Sequence, residues 1–160
     1  MLVARIVLYC DPRCTTMDRS DLLPLMSEDT RQYADRVLEV FDAPFAQHMG
    51  LKIESISQEE VVCSMDVRDF MINSMGRMHG GAVYALLDHT FAIISNMVHD
   101  GTGQSTEVKF YRPANGNLRC VAKPVNISRS LAVYDVKVYS EEGKLIASST
   151  CTAFIIKKAE

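Results

Sequence analysis

The stretch His79-Gly-Gly-Ala-Val-Tyr-Ala-Leu-Leu-Asp-His-Thr-Phe-Ala-Ile-Ile94 decides how this 160-residue chain folds. The apolar run continues to Val98 and is closed by Asp100-Gly101. It is too long for a strand, and its length predicts a buried helix of about five turns. Because it is apolar almost all round, the helix is expected to be enclosed by protein. Asp88 is the anomaly in its middle, since a carboxylate among apolar groups is costly unless something hydrogen-bonds it. It calls for a structural partner or for a function, and the residues alone leave both open. Gly80 and Gly81 open the helix without side chains, so a ligand carbonyl can reach backbone N–H groups at the positive end of the helix dipole, as in an oxyanion hole. Close packing of helix on sheet is the other use of such a pair. Eight residues separate Gly80 from Asp88, about 12 Å at a rise of 1.5 Å per residue. One chain cannot bring both to one small reactive group. Cooperation between them requires two copies with antiparallel helices, and hence a symmetric dimer with two equivalent sites.

Outward from the helix the pattern turns to period two. Before it, Leu51–Ile56 and Val61–Val67 alternate around the polar Ser57–Glu60 and predict a hairpin. After it come four strand-like runs, Ser105–Tyr111, Leu118–Asn126, Ala132–Tyr139 and Lys144–Ile156, parted by short Gly-, Asn- and Ser-containing turns. Short turns allow antiparallel meanders and forbid parallel crossovers. The expected layout is α+β: a hairpin, one long central helix, and an antiparallel sheet wrapped around it. Further upstream, Thr30–Phe41 repeats at helical spacing until Asp42-Ala43-Pro44, with Ser27 as its N-cap. Residues 1–26 show no period and are expected to form an N-terminal extension of unclear role, with residues 27–160 as a single domain.

Composition narrows the function classes. A net charge of -3 offers no overall attraction to nucleic acid or to an anionic membrane. Five cysteines, Cys10, Cys14, Cys63, Cys120 and Cys151, lack the even, close spacing of a disulfide framework or a zinc knuckle, and Cys10-x-x-x-Cys14 has no second pair. No metal is expected, since His89 and His99 form no set with nearby acids. The apolar start Met1–Tyr9 is short and has no basic lead-in, so no export signal is read, and no run approaches a membrane span. A cytoplasmic, soluble protein is expected.

Asn73, then His79-Gly80-Gly81, then Asp88, at these spacings and within this order of elements, resembles the hotdog-fold acyl-CoA thioesterases of the PaaI-like type over about residues 30–157. The resemblance implies a hotdog fold and hydrolysis of an acyl-CoA. It makes the Gly80 N–H, with Gly81 beside it, the group that polarises the thioester carbonyl. Asp88 of the partner subunit would attack that carbonyl or activate a water. Asn73 and His79 match positions that hold the thioester or the water; a turn-forming Asn and a helix-capping His are their plain alternatives. The family often carries a hydroxyl on the strand after the helix, here Thr106 or Ser105. The segment Glu107–Pro113 is shorter than in the commonest version, which leaves the register open, with Thr106 preferred.

Coenzyme A phosphates call for cations. Arg112 and Arg129 are the candidates ahead of Lys109 and Lys123, although all four serve equally as solvated charges. Met71, Met75, Met78, Tyr84 and Phe91 suggest an aromatic or medium-length acyl group, unless they are core. Coenzyme A enters as part of the substrate, and no separate cofactor is expected. The expected partners are the acyl-CoA and further copies of the chain, as a homodimer and a dimer of dimers, with neither nucleic acid nor membrane. A non-catalytic acyl-CoA sensor and an enoyl-CoA hydratase are the rival readings.

Overall fold

The computed structural model describes residues 17–158. Chain entry is built from short helices. Asp18 caps α1 (Arg19–Leu22) by accepting from the Asp21 N–H at 3.0 Å, and Asp21 reciprocates, forming a capping box. Leu22 and Met26 are buried in the main core, Met26 bridges to Ile56, and the Ser27 N–H donates to the Ile56 carbonyl at 2.8 Å. The packed unit therefore begins before the expected start at Ser27; residues 1–16, with Cys10 and Cys14, lie outside the described residues.

The expected lead helix is split. Glu28–Tyr33 is a 3-10 helix, and only α2 (Ala34–Phe41) is α-helical. Buried Thr30 explains the tight first turn, because its Oγ1 donates to the Ser27 carbonyl at 2.9 Å and meets Ser27 Oγ at 3.0 Å. Pro44, expected only to stop the pattern, also starts α3 (Pro44–Met49), and Gly50 ends that helix at φ 69°.

Then come β1 (Leu51–Ile56), β2 (Val61–Met65), α4 (Gly80–Met97), β3 (His99–Phe110), β4 (Leu118–Ile127), β5 (Leu131–Ser140) and β6 (Leu145–Lys158). They form one antiparallel sheet in the order β1-β2-β4-β5-β6-β3. The expected four-strand meander is corrected here, since β3 pairs with β6 and not with β4. Three inter-strand spacings of about 4.8 Å must be crossed between β3 and β4, which seven extended residues at about 3.3 Å each can span. β3 also begins at His99, well before Ser105; Gly101 and Gly103 give no alternation to read, and register shifts fall at Asp100/Gly101 and Gly103/Ser105.

α4 packs against this sheet with α2 beside it, and Leu86, Leu87 and Ile93 are completely buried. It is not enclosed all round, as its composition predicts. Gly80, Gly81, Tyr84 and Asp88 form an exposed stripe at spacings of three and four residues. Phe91, one of the expected acyl-lining residues, is core and meets Tyr134 edge-on at 5.5 Å.

His89 is buried beside Phe41 with its Nε2 unbonded, and burial pushes its pKa from 6.5 down to about 4. Between those values the unfolded chain binds the proton and the folded chain does not. Stability is therefore full above pH 6.5 and falls as the pH drops toward 4. At 1.36 kcal/mol per pH unit, His89 costs about 2 kcal/mol by pH 5. Urea unfolding at pH 7 and pH 5 is expected to show that loss in wild type and a smaller one in His89→Leu; equal losses in both would clear His89 of the effect.

Candidate active site

A loop delivers the start of α4. Ile72 and Met78 bridge across it, and Asn73 closes it: its Oδ1 accepts from the Met75 N–H at 2.8 Å and the Arg77 N–H at 3.3 Å. Gly76 turns the chain at φ 69°. The His79 N–H donates to the Met71 carbonyl at 2.7 Å and the Met78 N–H to the Ala114 carbonyl at 2.9 Å, so the helix start is tied on two sides. Asn73 thus has the turn-forming role. It also lines the cavity in front of Gly80.

His79 is the N-cap. Its Nδ1 accepts from the Gly81 N–H at 2.9 Å, which requires an unprotonated nitrogen there. That bond engages one of the four end donors of the helix; the N–H of Gly80, the first helical residue, has no intrahelical acceptor. A Cβ on Gly81 would lie 3.0 Å from His79 Nδ1, so a side chain there would crowd the capping imidazole. A Cβ on Gly80 would meet only the Phe110 ring, at 3.6 Å, an ordinary contact.

Two turns along, Asp88 stands on the exposed stripe. The protein crowded around its carboxyl pushes its pKa up, and a hydrogen bond from the Tyr84 hydroxyl, one turn earlier, partly offsets that. Behind it lies Cys151. Burial raises the pKa of this thiol, hydrogen bonds with Ser149 and Thr106 lower it, and the Asp88 charge raises it further. Thr106 opposes Cys151 in the β3–β6 ladder, so both side chains face α4. Ser105 opposes Thr152 on the other face, where their hydroxyls bond at 2.7 Å. The fold therefore puts Thr106 on the face toward α4 and turns Ser105 away. Tyr84 and Cys151 are the neighbours of Asp88 that sequence reasoning missed. Tyr84 sits at i−4 on the same helix and was open to that inference; Cys151 needed the strand register.

A cavity of about 340 Å³ opens at Gly80, lined also by Asn73, Met75, Arg77, Phe110 and Arg112. One Arg112 N–H donates to the Leu145 carbonyl at 2.8 Å, which fixes the guanidinium at the cavity wall. Arg129 is not part of this group. It sits in the β4–β5 turn, next to Ile127, which lines a cavity with Met97 and Val98 at the other end of α4. Lys109 and Lys123 pair with Glu107 and Glu60 at 3.2 and 2.9 Å. Among the described residues no three His, Cys, Asp or Glu side chains are grouped to hold a metal ion, and no helix is long and apolar enough to cross a membrane.

Comparison with known proteins gives consistent results. A family profile described as the thioesterase superfamily matches residues 75–147. ComA2 of Bacillus subtilis, a protein carrying an esterase name, is 32% identical over 117 residues, 69% of this chain and 92% of the relative. The acyl-coenzyme A thioesterase PaaI of Escherichia coli is 27% identical over 105 residues, 64% of this chain and 75% of that protein. The solved structure of a mutant of the phenylacetic acid degradation protein PaaI from Thermus thermophilus superposes with a TM-score of 0.69 at 36% identity, over 71% of this chain and 100% of that one.

Proposed function

The chain belongs to the hotdog-fold thioesterase superfamily, in its PaaI-like branch, and is a thioester hydrolase; from that premise we propose that it hydrolyses an acyl-CoA to the free acid and coenzyme A, at sites shared between two copies of the chain. The observation that carries this reading is the exposed stripe on an otherwise buried helix, which holds an end N–H at Gly80 and a crowded, proton-attracting carboxylate at Asp88. These two are about 12 Å apart along the helix. Antiparallel docking of two α4 stripes sets each Gly80 opposite the other copy's Asp88. β3 supports the pairing, because it is the last strand of the sheet and keeps one edge of its ladder open.

In the proposed reaction the Gly80 N–H donates to the thioester oxygen as negative charge develops on it. Asp88, with its pKa raised, takes a proton from water as the water oxygen bonds to the carbonyl carbon. Tyr84 holds the carboxylate and Thr106 offers its hydroxyl to the water. The C–S bond then breaks, and the proton passes from Asp88 to the coenzyme A thiolate. Arg112 at the cavity wall is placed for a coenzyme phosphate.

Mixing two inactive variants tests the shared site. In a heterodimer of Asp88→Asn with Gly80→Pro, one site keeps both groups and the other loses both. Random reassortment makes half of the dimers mixed, so about a quarter of wild-type thiol release is expected to return. No recovery after subunit exchange has been demonstrated would overturn the shared site. Acyl-CoA binding by the wild type without any thiol release would favour a sensor instead.

A further inference from the structure

Two cavities flank the start of α4 on opposite sides, and their chemistry differs. On the Gly80–Val83 side, the cavity with Arg77 and Arg112 shares Arg112 and Pro113 with a neighbouring cleft of about 520 Å³ that is lined by Lys144 and also by Glu141 and Glu142. The cavity at Gly80 itself is lined by two arginines and no carboxylate, and it opens onto that cleft of mixed charge. On the Gly81–Ala82 side lies a separate pocket of about 220 Å³, lined by Phe45 and Met49 of α3 and by Phe70 and Met71. His79 stands at the boundary, and no Asp, Glu, Lys or Arg lines this pocket. Met49 and Met71 are buried at its floor, while Phe45 and Phe70 are 63% and 55% exposed at its mouth. Phe70 is steadied there by the His48 ring at 5.1 Å.

We infer that the thioester is threaded across the helix end, with the coenzyme arm in the cavity lined by Arg77 and Arg112 and the acyl group in the apolar pocket, so that Phe70 at its mouth sets acyl length. The inference rests on the acyl-CoA reading above and adds a direction to it. A phosphate-bearing arm has to lie along an open, cationic surface, whereas an acyl tail gains only from leaving water. Between them the reacting carbonyl falls at Gly80 and Gly81, where the free end N–H is. The pocket also limits size. At about 30 Å³ per water-sized group, it holds about seven such groups. That fits an aryl ring on a short spacer or a straight chain of about six to eight carbons.

The test is kcat/KM for straight-chain acyl-CoAs from four to sixteen carbons, with wild type, Phe70→Ala and Arg112→Ala. Phe70 is exposed, so its truncation leaves the core intact. Wild type is expected to gain up to about fourfold per added methylene, the equivalent of about 0.8 kcal/mol, and to stop gaining near eight carbons. Phe70→Ala should move that maximum to longer chains and change the ratio of long to short substrates about tenfold. Arg112→Ala should lower kcat/KM by one common factor at every length. An unchanged length profile in Phe70→Ala, or a changed one in Arg112→Ala, would overturn the assignment. If wild type hydrolyses none of the thioesters, the earlier reading has failed, and dissociation constants of S-alkyl-CoA thioethers of the same lengths decide the pocket. The same profile and the same variant effects then support it, and a flat profile overturns it.

Discussion

Asp88→Asn is expected to lower kcat for acyl-CoA hydrolysis by about a hundredfold or more while leaving the melting temperature unchanged or higher. The two effects share one cause. Crowding by protein raises the Asp88 pKa, so the folded chain holds that proton to a higher pH than the unfolded chain does. For an acid this means that stability falls as the pH rises through the shifted value, and near neutral pH the ionised carboxylate is a burden on the fold. Asparagine keeps the shape and an oxygen to accept from Tyr84, but carries no charge. It relieves the burden and cannot take a proton from water. A principal catalytic group that is also a stability liability is the usual compromise of an active site. A structural carboxylate would behave in the opposite way, since its loss lowers the melting temperature and hydrolysis follows only through unfolding. Thiol release and thermal unfolding of the one variant separate these cases, and a destabilised variant with near-normal kcat would end the catalytic assignment.

The features legible in the sequence were those that depend on local pattern. The long helix, its boundary at His79, and the runs that became β1, β2, β4, β5 and β6 follow from apolar spacing and from Gly- and Asn-containing turns. What escaped depends on partners far along the chain. β3 pairs with β6 across 37 to 59 residues, and no local signal distinguishes that from a meander. The open stripe on α4 was hidden because glycine and tyrosine read as apolar whichever way they face. Thr106 and Ser105 differ by one position, and only the pairing with Cys151 and Thr152 says which faces α4. Pro44 carries two opposite local meanings, as a stop for one helix and a start for the next, and only the second was overlooked. The candidate site was legible in composition and not in assembly: Asn73, His79, Gly80 and Asp88 were all named, while the separation of Arg112 from Arg129 by the length of α4 required the fold.

Gly80→Pro isolates the oxyanion donor, with an expected loss of about a hundred- to a thousandfold in kcat. Most substitutions meant to remove a backbone N–H destroy the structure around it, but this position is an exception. Gly80 is the first residue of α4, where proline is tolerated because the missing N–H has no intrahelical partner and the ring presets a helical φ. The residue before a proline must be extended, and His79 already is, at φ -63° and ψ 137°. The added Cβ finds the Phe110 ring at 3.6 Å, and Gly81 keeps its bond to His79 Nδ1. Helical circular dichroism and the melting temperature should therefore stay close to wild type while hydrolysis collapses. Gly80→Ala is the companion measurement, because it keeps the N–H and adds only the methyl group. If alanine and proline lose equal activity, the position matters through the space it leaves for the substrate. If proline loses far more, the N–H itself stabilises the transition state, and the start of α4 is an oxyanion hole built from one peptide group.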